Sequence, residues 1–138
     1  MFTNIKQCAL TAVTNIVSVD KLWSVARQNE EDGFELLRKL GAQLSECYNI
    51  PNPKLKKGSY ECYWIAAERI ELPKVSLVSY LHEYQHHRQK YGAQHYEDHE
   101  VDARAWSISC FNYALPQEFD KAWREGKIWY LPPYQVTY

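Results

Sequence analysis

The stretch Ser76–Tyr91, SLVSYLHEYQHHRQKY, limits the possible folds more than any other part of the chain. Read at 100° per residue, Leu77, Val78, Leu81 and Tyr84 form one apolar side. His82, Glu83 and His86 fall largely away from it, with Ser79 among them. A helix of this kind has a core side and a separate polar side, suited to a cleft or to open solvent. Gly92 follows as the expected residue after the helix end, because glycine accepts the left-handed conformation found there.

His82, Glu83 and His86 spell H-E-x-x-H. Positions i and i+4 stand one turn apart on one helix face, so two imidazoles there can hold one cation. Zinc suits imidazole nitrogen and keeps an open position for water. A carboxylate beside the pair can take a proton from that water during attack on a carbonyl, which assigns Glu83 as general base. By composition the pattern arises by chance in roughly one or two such chains per hundred. His87 lies off the site face and reads as a surface residue or a support to the ligands.

A catalytic zinc takes three protein ligands. The downstream donors are His95, Glu97, Asp98, His99, Glu100 and Asp102. In a following helix, Glu100 shares a face with Ala103, Ser107 and Cys110, small side chains that allow close approach to the histidine helix. Asp102 points to nearly the opposite side, with Ala105, Ser109 and Tyr113, and reads as surface or support. Glu100 is therefore the chosen third ligand, with His95 and His99 as rivals. Tyr91, His95, Tyr96 and His99 are candidate donors to an oxyanion. Glu97 and Asp98 are candidates to orient a ligand imidazole, and Arg104, one turn from Glu100, to orient that carboxylate or pair with a substrate.

Around this centre the pattern is α+β with helices dominating, in one domain over 1–138. Residues 1–50 read as helical. Spacing of Ile5, Cys8, Ala9, Ala12, Val13 and Ile16 gives a helix in roughly 3–27, broken near Ser18–Asp20. Asn29 caps a second helix with the stripe Phe34, Leu37, Leu40 and Leu44, ended by Asn49 and Pro51. Residues 58–116 carry the motifs. SYECYWI (59–65) and ERIEL (68–72) read as a strand pair turning near Ala66–Ala67. A helix over 99–115 is stopped by Pro116, and a short helix follows at about 117–125. The aromatic tail IWYLPPYQVTY offers a surface for pairing, without fixing an oligomeric state.

Net charge is -1 with both signs interspersed, so no positive field for nucleic acid is present. KLKK (54–57) reads as a solvated turn. No apolar run reaches membrane-spanning length, and the N-terminal stretch is broken by Lys, Gln, Asn and Thr, unlike a secretory signal. Most of the 11 Tyr and 5 Trp are expected in the core, some along a cleft. Cys8, Cys47, Cys62 and Cys110 make no C-x-x-C clip. Reduced thiols in a cytoplasmic protein are expected, with a single disulfide as the alternative.

HEYQHH followed by EVDARAWSISCFNYALP resembles the gluzincin type of zinc metallopeptidase, and among these the minimal ImmA/IrrE-like peptidases of phages and mobile elements. Glu100, Ala103, Trp106 and Leu115–Pro116 correspond to the second motif of that group, whereas Arg104 stands where it often carries Asn. The resemblance implies a zincin-like fold, a small β-sheet beside the H-E-x-x-H helix, and an edge strand that binds extended peptide, supplied by 59–65 or 68–72. It implies a hydrolase acting on a protein or peptide substrate, with repressor-like regulators as the expected class. The alternatives are a zinc-stabilised interaction module without turnover and a metal-free interaction protein.

Overall fold

The computed structural model describes residues 5–128. Its elements run α1 (Gln7–Thr14), a π-helical turn (Asn15–Val19), α2 (Leu22–Gln28), α3 (Glu30–Tyr48), β1 (Lys54–Lys57), β2 (Cys62–Trp64), β3 (Arg69–Leu72), α4 (Leu77–Lys90), α5 (His99–Ala114) and α6 (Pro116–Arg124). The molecule is α+β with helices dominating and one three-stranded sheet. No helix among the described residues is long and apolar enough to cross a membrane.

Local sequence chemistry sets the helix ends. The Asn29 side chain accepts from the Asp32 N–H, and Glu30, Glu31 and Asp32 favour the positive first turn of α3. Asn49 closes that helix at φ 55°, a left-handed position asparagine tolerates. Ser76 caps α4 and Asp98 caps α5, each accepting from the N–H three residues on. Gly92 follows α4 at φ 90°. The N-terminal helix breaks at Asp20–Lys21, where Lys21 is left-handed at φ 58°. Pro116 begins α6 at once, its missing N–H costing nothing in a first turn.

The sheet order is β1-β3-β2, with β1 parallel and β2 antiparallel to β3. Two expectations change here. KLKK is a strand, not a turn: Leu55 is buried while its lysine neighbours are exposed. Its Leu55 carbonyl accepts from Arg38 Nε and Nη2 at 3.2 and 3.0 Å, and the lysines suit an unpaired edge. Residues 69–72 form the central strand, so that segment cannot be the peptide-binding edge; β2 and β1 are the edges.

One core joins the helices and the sheet, with Phe34, Leu37, Ile70, Tyr80, Leu81, Tyr84 and Trp106 buried in it. α5 runs through its middle, packed on α1, α4 and α6. That explains why Ala103, Ser107 and Cys110 are buried on one side and Asp102, Ala105 and Ser109 on the other. Asp102 is thus an interior residue rather than a surface one.

Cys8 of α1 and Cys47 of α3 are joined as a disulfide with Cα atoms 6.1 Å apart, whereas Cys62 and Cys110 are free. The expectation of four reduced thiols is corrected: side-by-side packing of α1 on α3 brings the two within bonding range. The cytoplasmic expectation rested on reduced thiols and loses that support. The proposed pairing surface in the tail lies outside the described residues after Ile128, which is itself buried.

Candidate metal centre

α4 presents His82 and His86 one turn apart, their ring centroids separated by 5.0 Å. α5 brings Glu100 across from them in its first turn. Glu100 Oε1 lies 3.0 Å from His82 Nε2, and Oε2 lies 3.0 Å from His86 Nε2. One donor atom from each of the three residues falls within 4.8 Å of the others. Ligand bonds of about 2.0–2.2 Å place tetrahedral donors roughly 3.3–3.5 Å apart. The two His–Glu100 separations are slightly shorter than that, so a modest adjustment of the side chains would fit a zinc-sized cation. Both imidazoles are largely covered, while Glu100 faces solvent.

Burial, followed by the nearby His86, lowers the His82 pKa; the Glu100 carboxylate works the other way. The lowered value favours the neutral ring, which is the form that binds metal. Glu83 is 6% exposed. Burial first, then the charges of Glu100 and Glu61, push its carboxyl up to about 7. A cation held beside it has the opposite effect, favouring the carboxylate.

His82 opens on a cleft of about 1300 Å³, lined by Ser79, His82 and Glu83 of α4 and by Glu100, Arg104, Ser107, Ile108 and Phe111 of α5. Trp23, Ala26 and Arg27 of α2 form part of the lining, so the N-terminal third takes part in the cleft. Glu61, next to β2, reaches the same space.

Several expected site residues stand elsewhere. Tyr91 donates its hydroxyl to Glu68. His95 and His99 are exposed and Tyr96 is half-buried; none of these four lines the cleft. Neither His95 nor His99 joins the converging donor group. The Glu97 carbonyl accepts from Gln94, and the Asp98 carboxylate caps α5. Neither carboxylate orients a ligand imidazole in the hydrogen bonds they make. The partner of His86 Nδ1 is Gln89 Oε1, at 2.8 Å. Arg104 does line the cleft, and its charge opposes protonation of His82.

His87 is fully buried, not a surface residue. Its Nε2 meets the Pro51 carbonyl at 2.7 Å and its Nδ1 meets the Tyr63 hydroxyl at 2.6 Å. Asp102 accepts from Gln85 and Gln89 side chains and from the N–H groups of His95 and Tyr96. Burial opposes its charge, yet these donors hold the carboxyl below the usual aspartate range. The sequence reading missed Gln85 and Gln89. Their i, i+4 spacing on α4 was the available signal.

No protein-family model, curated protein or solved structure matches the chain.

Proposed function

We propose that the chain is a zinc-dependent peptidase with a zincin-like arrangement of the gluzincin kind, cleaving protein or peptide substrates. The convergence of His82, His86 and Glu100, with His82, Glu83 and Glu100 on the wall of an open cleft, carries this reading. His82 Nε2, His86 Nε2 and the Glu100 carboxylate would hold the metal. When bound, zinc acidifies water and polarises a carbonyl.

The chain's own groups account for the proton traffic. Hydrolysis bonds the water oxygen to the carbonyl carbon, and the water proton passes to a Glu83 carboxylate oxygen. The C–N bond then breaks, and Glu83 returns the proton to the leaving amine. Arg104 supplies positive charge in the cleft for the developing oxyanion, a role the tyrosine and histidine candidates are not placed to fill. β2 offers an unpaired edge close to Glu61, suited to an extended peptide.

The test pairs metal analysis of natively purified protein with hydrolysis of an unstructured protein. Glu83→Gln is expected to keep stoichiometric zinc and lose at least about a hundredfold in rate. Unchanged hydrolysis would reject the assigned base, and protein that neither carries nor takes up zinc would reject the metal.

A further inference from the structure

We propose that Gln89 is a positioning residue that fixes His86 with its proton on Nδ1, leaving the Nε2 lone pair facing Glu100. The consequence for metal binding rests on the reading of His86 as a ligand. The tautomer itself does not.

The tautomer follows from which atoms can only accept and which can only donate. The Gln89 side-chain nitrogen sits 3.0 Å from the His99 carbonyl and 2.9 Å from Asp102 Oδ2. A backbone carbonyl has no proton to give, so the NH2 end of the amide must lie there. Its two N–H groups are then both used. Oε1 is left pointing at His86 Nδ1, 2.8 Å away, and an amide oxygen accepts only. His86 Nδ1 therefore carries the hydrogen. In a neutral ring Nε2 is then bare and faces Glu100 Oε2 at 3.0 Å, two acceptors whose repulsion is relieved by a cation between them.

A neighbouring amide follows the same logic. Gln85 Nε2 lies 2.9 Å from the Ala93 carbonyl and 2.8 Å from Asp102 Oδ2. Gln85 Oε1 accepts from Arg88 Nη1 at 2.9 Å, and a guanidinium only donates. Arg88 is itself held over the Tyr48 ring, 3.8 Å from its centroid. Asp102 gathers both glutamines and two backbone N–H groups, and neither amide can flip without facing like atoms. Donation runs from Arg88 through Gln85 to Asp102, and from His86 through Gln89 to the same carboxylate, so both arms converge on Asp102. Ligand histidines elsewhere are oriented by a carboxylate or a backbone carbonyl. Here a neutral amide does it, and its direction is dictated from the interior.

The decisive experiment is long-range proton–nitrogen NMR of histidine in the metal-free protein, at a pH where the imidazoles are neutral. The expected result is a His86 protonated at Nδ1 and bare at Nε2. Gln89→Met keeps the length of the side chain and removes both the acceptor and the donors. It is expected to shift His86 toward the Nε2-protonated form and to weaken zinc binding by about 10–100-fold in a chelator competition. A wild-type His86 protonated at Nε2 would overturn the proposal, with no variant needed. So would a Gln89→Met protein with unchanged tautomer and zinc affinity within about twofold of wild type. Failure of the wild-type protein to bind zinc would instead sink the peptidase reading while leaving the tautomer result standing.

Discussion

The Tyr63 hydroxyl lies 2.6 Å from His87 Nδ1, and this bond fastens β2 to α4. The Pro51 carbonyl accepts from His87 Nε2–H, and burial favours the neutral ring, so Nδ1 accepts and Tyr63 donates. An edge strand beside the cleft is thus tied to the residue next to His86. Tyr63→Phe leaves a buried ring nitrogen without its donor. A loss of about 1–2 kcal/mol is expected, read as a lower urea midpoint at unchanged slope.

Zinc should stabilise the fold by mass action. At a hundredfold excess over its dissociation constant the gain is about 2.7 kcal/mol, seen as a higher melting temperature that a chelator reverses. His82→Ala and Glu100→Ala should each abolish the shift. A full shift in either variant would remove that residue from the ligand set.

The Cys8–Cys47 bridge closes a separation of 39 residues. By the chain-entropy account it is worth about 3–4 kcal/mol. Denaturant titration with and without reductant should show that difference. Equal midpoints would mean that packing of α1 on α3 suffices alone.

Gly41 sits under the Tyr80 hydroxyl, which an added Cβ would overlap. Alanine in a helix ordinarily gains about 1 kcal/mol over glycine. Here the overlap should win, giving a net loss of about 1–2 kcal/mol for Gly41→Ala. Adding Tyr80→Phe removes the hydroxyl and should recover part of the loss in a double-mutant cycle.

Glu68 accepts from Lys90 Nζ at 2.8 Å and from Tyr91, and these bonds hold its carboxyl below the usual glutamate range. A lowered folded-state value gives stability that is present above the unfolded value and lost as pH falls through the folded one. The pair is partly exposed, so about 1 kcal/mol or less is at stake. The stability gap between wild type and Glu68→Gln should close on going from about pH 6 to about pH 3. A gap that stays constant would assign the effect to shape rather than charge.

Much of the frame was legible because it is local. Asn29, Asn49, Ser76 and Gly92 act within a few residues, and the tight turn at 65–68 follows the expected strand pair. The spacing of His82 and His86 is a property of any helix. Glu100 was reachable because small residues on its face implied a close neighbour. What was hidden depends on distant parts of the chain. Lys54–Lys57 looks like a turn until β3 pairs with it. Asp102, read as a surface or supporting acid, proves to be interior only once α4 packs against its side of α5. The Cys8–Cys47 bond and the polarity of Gln89 likewise exist only once other elements are in place.

Gly33 lets Ala26 come almost against the α3 backbone, since an added Cβ there would lie 2.7 Å from Ala26 Cβ. Trp23 rests edge-on to Phe111 with centroids 6.4 Å apart. The far bank of the trough facing the histidines is therefore founded on the scaffold, not hinged to it. Whatever reaches His82 meets a wall footed on packed side chains rather than on a free loop.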